Sequence, residues 1–414
     1  MPSTLINNIK ILVNATDTPL LLKGKALSIL PCIEDAYLII EGSRIAEYGS
    51  MKKSKYKAEN FAFYIDASGK LILPSWCDSH THLVFAGSRE GEFTEKIIGL
   101  SYVEIAAKGG GILQSAKQLN ETSEDELFNQ AYQRLQDVIR LGTGAIEIKS
   151  GYGLTVEGEL KMLRVIRRLK NSADIPIKAS FLGAHTFPAR YKDDREGYIK
   201  LIIEEMLPII AKDNLADYID VFCEEGFYSP GETERICKAG LQFGLKPKIH
   251  ANQLHISGGV QTGVKLNAIS VDHLESMDNE AIDTLAHSST IGTLLPTAAF
   301  FLRMPFQSAR QMIDAGCAIA LASDFNPGSS PSGNMNFVVS LSCIQMRMLP
   351  EEAINAATIN GAYAMELQNE VGSITVGKRA NLILTKQVPS LPYLPYSFGT
   401  NLIDRVMLNG EWIS

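Results

Sequence analysis

The 414-residue chain has no CxxC pair: its six cysteines lie far apart, at 32, 77, 223, 237, 317 and 343. That scatter reads as buried free thiols in a reducing compartment rather than a disulfide framework. No apolar run is long enough to cross a membrane. The opening MPSTLINNIK has no basic stretch leading into an apolar core and a cleavage site, so no secretion signal is expected. Basic clusters are few and short. Lys52-Lys53-Ser54-Lys55 suits a solvated surface, and a net charge of -7 gives no footprint for nucleic acid. Internal repeats and low-complexity tracts are missing too. With 45% apolar and 21% charged residues, the expectation is a cytoplasmic globular protein with one large domain and a smaller one.

Texture divides the chain in three. Residues 1–70 read as short strands and turns, with Tyr37 to Gly49 as two strands around a glycine turn. From Leu71 onward, short apolar strands alternate with helical segments. Strands are expected near residues 73, 146, 179, 221, 249, 271, 293 and 320. Helices are expected over 124–141, 155–170, 194–210, 230–243, 257–266, 280–286 and 309–315. Eight alternating units predict an α/β fold, a closed (β/α)8 TIM-like barrel over 71–370; a doubly wound open sheet is the alternative. A Pro/Gly/Ser-rich loop and further helices follow Asp324, and residues 371–414 return to strands and turns. The two ends are expected to form one small β-sandwich beside the barrel.

Five potential metal ligands punctuate this pattern: His80, His82, His250, His273 and Asp324. Alternate residues of a strand share a face, so His80 and His82 can grip one ion together. The others fall at the ends of strands five, six and eight, which share one mouth of a closed barrel. Imidazoles and a carboxylate suit one borderline divalent ion, zinc or iron, with a water completing the site. His80, His82, His250 and Asp324 are assigned as ligands, Asp324 doubling as the base that takes the water's proton. His273 is either a fifth ligand or a group that holds the water and stabilises an oxyanion; the second role is preferred. A two-metal site would need a bridging carboxylate, often from a modified Lys, at the end of strand four. Ile177 to His185, taken as that stretch, places Lys178 upstream of the strand end and His185 beyond it, so one metal is expected.

Pro74 to His82 resembles the first metal motif of the amidohydrolase superfamily. Four further segments, Phe85 to Phe93, Lys149 to Leu154, Phe181 to His185 and Ser323 to Ser330, are together similar to the imidazolonepropionase family. That resemblance runs over nearly the whole chain. It implies hydrolytic ring opening of 4-imidazolone-5-propanoate to N-formimino-glutamate, one zinc or iron per subunit, and a homodimer. It implies the ligand set His80, His82, His250 and Asp324, with His273 beside them. It also implies that Arg89 and Tyr152 hold the propanoate carboxylate and that His185 meets the imidazolone ring.

Residue chemistry agrees in part. Arg offers a fork of donors to a carboxylate, though Arg89 could equally serve a surface ion pair, Tyr152 pack a loop, and His185 be structural. Some family members have Glu three residues after the strand-five His, and Gln253 stands there in this chain. Its amide can bond a ring carbonyl but cannot shuttle a proton, which leaves Asp324, His273 or water as the acid. The loop Asn326 to Pro331 is expected over the site, with Asn326, Gly328 and Ser329 shaping the ring pocket; a plain turn fits it as well. The rivals are another cyclic amidohydrolase, a nucleobase deaminase, and a non-catalytic metal-binding protein. Arg89 favours an anionic substrate over a neutral base.

Overall fold

Eight short segments, nearly all of whose residues are buried, form a parallel sheet covered by helices. They are Trp76–Thr81, Thr143–Lys149, Ile177–Ala184, Tyr218–Cys223, Lys246–Ala251, Ser270–His273, Ile291–Leu294 and Ile319–Leu321, paired in parallel in chain order. The structure, a computed structural model, describes residues 3–100 and 110–413. The first and last strands meet at a parallel bridge between Thr81 and Phe325. Two backbone bonds reinforce it, Asp324 N to His80 O (3.0 Å) and His82 N to Phe325 O (2.9 Å). Buried Asp78 completes the seam, accepting from Ser323 N at 3.0 Å and Ser323 Oγ at 2.6 Å. The result is a nearly closed TIM-like barrel.

Both termini contribute to a separate, mainly antiparallel sheet of eight strands. Its central strand, Ser3–Val13, pairs antiparallel with Cys32–Glu41 and parallel with Phe63–Asp66 and Lys70–Pro74. Leu382–Gln387 joins Lys70–Pro74 and leads through Ile403–Leu408 to Glu411–Ile413. The strand expected near residue 73 therefore belongs to this sheet, and the first barrel strand starts at Trp76. One continuous apolar run, Leu71 to Cys77, holds both, and pattern alone does not show the break at Ser75. The stretch Ile177 to His185 is barrel strand three, not four; strand four is Tyr218–Cys223.

Most expected helices form within a residue or two. Ser123 and Thr155 cap Glu124–Arg140 and Val156–Ser172 by accepting from the amides of Glu126 and Gly158. The helix expected over 194–210 carries a wide turn, Leu201–Met206, before Leu207–Lys212; Pro208 has no N–H to continue regular spacing. Two helices not anticipated, Glu90–Ile97 and Ile112–Glu121, line the approach to the mouth. Among the described residues, no helix is long and apolar enough to cross a membrane.

Candidate active site

Strand alternation sends one residue in two into the barrel, and here those positions are polar. Glu147, Lys149, Asp220, Lys248, His250 and Asp272 are all buried. They meet His80 from strand one. The Nδ1 of His80 lies 2.6 Å from Asp272 Oδ2, and the Nδ1 of His250 lies 3.0 Å from Asp220 Oδ1. An ionised carboxylate can only accept, so both imidazoles carry hydrogen on Nδ1 and present a bare Nε2. These nitrogens converge. His250 Nε2 is 3.4 Å from His82 Nε2, and Asp324 Oδ1 is 3.5 Å from Nε2 of both His80 and His82.

Several features fit a metal ion. The buried Nε2 of His80 has no hydrogen-bond partner among the described residues, although buried polar atoms normally find one. Ligand atoms of His80, His82 and His250 lie within 4.8 Å of one another, as do those of His80, His273 and Asp324. Burial, with Lys149 and the neighbouring imidazoles, holds His80 well below the ordinary histidine value; burial, His185 and His250 do the same for His82. Both stay neutral, the form that binds metal. Burial raises Asp324, offset in part by His273 and His250. Its other oxygen, Oδ2, accepts from Ser329 Oγ at 3.1 Å, which leaves Oδ1 aimed at the imidazoles.

Positive backbone angles deliver two of these groups. Asp272 faces inward, so regular alternation would turn His273 away; φ of 89° at His273 and 65° at Leu274 bring it back to the mouth. Asp324, three residues past its strand, has φ of 52°. Such conformations are costly for residues other than glycine and gather at functional sites. His273 Nδ1 lies 3.5 Å from Glu275 Oε1. Burial pulls this imidazole down, but Glu275, Asp324 and Asp272 outweigh it and its net shift is upward.

A cavity of about 510 Å³ opens above the cluster. Arg89, Tyr152, His185, Gln253, Asn326, Gly328 and Ser329 all line it, beside His82, His250, His273 and Asp324. Arg89 stands just before the Glu90–Ile97 helix, and its Nε and Nη2 donate to Glu92 Oε2 at 3.0 and 2.6 Å. Gly328 lies against this guanidinium, so that a Cβ there would come within 3.0 Å of Cζ and closer still to Nη1. His185 donates from Nδ1 to Gly151 O at 3.1 Å, because a carbonyl only accepts. Its Nε2 is therefore an acceptor facing the cavity, and burial holds the ring neutral, down to about 3. The ring stacks on His82 with centroids 5.2 Å apart. Asn326 shapes its loop: its Oδ1 accepts from the amides of Gly328 and Ser329, both at 2.8 Å, and its Nδ2 donates to Ser329 Oγ at 2.7 Å.

Sequence reasoning missed several contributors. Lys96 brings a second cation to the cavity, with Nζ 3.4 Å from Gly328 O; only the unanticipated helix places it there. Glu159 anchors the Tyr152 loop, accepting from the amides of Gly151 (3.0 Å), Gly153 (2.8 Å) and Leu154 (2.9 Å). Asp220 and Asp272 orient two imidazoles. Their signal was present, since each is an acid inside a short strand, Asp220 in an otherwise apolar one. Lys178, in contrast, pairs with Asp217 at 3.2 Å, among neither the cavity nor the cluster residues.

Comparison with known proteins gives the same picture. Residues 229–413 match the amidohydrolase family model. An imidazolonepropionase of Flavobacterium johnsoniae is 57% identical, covering 99% of this chain and all of its own. Another, from Christiangramia forsetii, is 54% identical over 99% of each chain. The solved structure of an atrazine chlorohydrolase from Arthrobacter aurescens, complexed with zinc and atraton, superposes with a TM-score of 0.73 at 14% identity, covering 99% of this chain and 94% of its own. That last likeness concerns the fold alone. The two relatives matched over nearly their full length are decisive, and the chain belongs to the imidazolonepropionase family of amidohydrolases.

Proposed function

We propose that this enzyme opens the ring of 4-imidazolone-5-propanoate by hydrolysis to N-formimino-L-glutamate, in histidine degradation. The observation that carries the reading is one cavity holding a convergent His/Asp cluster at its floor and two cations at its wall. His80, His82, His250 and Asp324 hold one zinc or iron ion, which when bound lowers the pKa of water and polarises a carbonyl.

Everything else falls to the chain. Arg89 and Tyr152 receive the propanoate carboxylate, with Lys96 adding charge. Burial and the nearby Asp324 push the Tyr152 phenol above its ordinary value, so it remains a donor. His185 accepts a ring N–H at its Nε2. Gln253 bonds the ring without exchanging a proton. His273, held by Glu275, donates to the oxygen of the carbonyl under attack. Asp324 takes a proton from the attacking water and returns it to the departing ring nitrogen as the amide C–N bond breaks. The fixed donors and the fixed approach lower the barrier. The cations disfavour a neutral nucleobase as substrate. A homodimer and a cytoplasmic setting belong to the same proposal; the described thiols are all free.

The test is turnover of freshly made 4-imidazolone-5-propanoate by zinc- or iron-loaded protein, with Arg89→Ala alongside. Loss of ring absorbance with appearance of formiminoglutamate, dependent on metal and strongly weakened in the variant, is expected. A metal-loaded protein that leaves this substrate intact would refute the reading.

A further inference from the structure

The barrel interior beneath the cluster holds a cation that the reaction itself does not use. Lys149 ends the second strand, is fully buried and does not line the cavity. Its Nζ donates to Asp220 Oδ2 at 2.7 Å and to Glu147 Oε1 at 2.6 Å, and it lies 3.7 Å from Asp272 Oδ2. Asp220 and Asp272 are the two carboxylates on His250 and His80. One ammonium thus stands between both carboxylates that orient the imidazoles.

Lys149 is itself held from behind. Glu147 receives Ser180 Oγ at 2.5 Å and Lys248 Nζ, and Lys248 also donates to Ser79 O at 3.1 Å. Each link is a charge-assisted contact in a dry interior, where such bonds are strong and directional. Every element of the chain from Ser180 through Glu147 and Lys149 to the two aspartates lies on a barrel strand, so the arrangement is rigid. Without the ammonium, three carboxylates would share the interior with Lys248 alone. Asp220 and Asp272 would repel each other, and the oxygen of Asp220 turned away from His250 would lose its partner.

We infer that Lys149 is a positioning residue for the metal site: by holding Asp220 and Asp272 apart at fixed distances, it sets the direction in which His250 and His80 present Nε2. The inference rests on the metal reading above. It differs from a purely structural role in its consequence, because it places the effect on the ion rather than on substrate capture. Partners that orient metal-bound histidines typically change metal affinity about 10- to 100-fold when removed.

The experiment compares the full-length protein with Lys149→Met and Lys149→Gln, the second keeping a donor toward Asp220. Zinc affinity is measured by competition with a chromophoric chelator, and the cobalt-substituted proteins are compared by visible absorption. The expected result is zinc affinity lowered about 10- to 100-fold in Lys149→Met and less in Lys149→Gln, with shifted cobalt bands. The KM for substrate should be unchanged and kcat reduced. In an Asp220→Asn background, Lys149→Met should add much less than it does alone. A folded variant with unaltered cobalt spectrum and zinc affinity would overturn the inference. So would failure of both variants to fold with or without metal, which would assign Lys149 to the fold. If the unmodified protein binds neither ion, the metal reading itself fails, and that outcome is distinct from the others.

Discussion

Replacing Gly328 by Ala is expected to damage substrate capture while sparing the fold. The added Cβ would come within 3.0 Å of Arg89 Cζ and nearer to Nη1, whereas ordinary contact begins at 3.4 Å. The guanidinium must retreat by about an ångström. Among the described residues its side-chain hydrogen bonds go to Glu92 alone, and the atom displaced is the end of a flexible side chain. The backbone at Gly328 has no positive φ, so alanine adds no conformational strain there. Arg89, however, can no longer meet a carboxylate with both N–H groups. A hydrogen bond to a charged group contributes about 1.5–3 kcal/mol, so losing one predicts a KM increase of roughly 10- to 150-fold. The contact exists before and during reaction, so kcat should change little. Steady-state kinetics of Gly328→Ala, Arg89→Ala and the double variant provide the assay, with thermal unfolding as control. Reasoning through Arg89 requires that the glycine change cost almost nothing once Arg89 is gone. An equal KM penalty in the Arg89→Ala background would refute it.

Other outcomes follow from the same geometry. Asp272→Asn should weaken zinc binding about 10- to 100-fold, read by chelator competition, because an amide can donate to His80 Nδ1 and spoil its tautomer. Glu159→Gln should cost about 1–3 kcal/mol in urea unfolding, since one amide oxygen cannot satisfy the three backbone donors that the carboxylate accepts, and KM should rise as the Tyr152 loop loosens. Chelation should abolish turnover and lower the melting temperature. At free metal a thousand times Kd the folded state gains about 4 kcal/mol, so adding zinc back should restore both.

Much of this architecture was legible because barrel strands obey a simple rule. Segments such as Tyr218–Cys223 and Ile291–Leu294 are short, mostly apolar and separated from their neighbours by helices, so period and length identified them. The convergent cluster was legible because histidines at strand ends are few, and the structure brings His80, His82, His250 and Asp324 together. What was hidden depended on backbone angle or on partners distant in sequence. His273 sits on the outward phase of its strand, and only its positive φ turns it into the mouth. Lys149 and Asp220 each look like an oddity in an apolar run; a contact across 71 positions makes them a pair. The run from Leu71 to Cys77 hid a change of sheet because both sheets bury it completely. Lys96 was missed with its helix, whose exposed face carries little apolar periodicity.

The seam between the first and eighth strands has a bearing on how the protein is made. His80 and Asp324 are 244 positions apart in the sequence, yet the amide of Asp324 donates to the carbonyl of His80. A chain still on the ribosome that has not exposed Asp324 can offer a captured ion imidazoles without that carboxylate, and no seam to hold His80 and His82 in place. Zinc or iron should therefore act late, as a latch between the first-made and last-made strands. Its arrival should slow hydrogen exchange at the amides of His82 and Asp324 far more than at the terminal sheet, and its departure should let the barrel open first along that line.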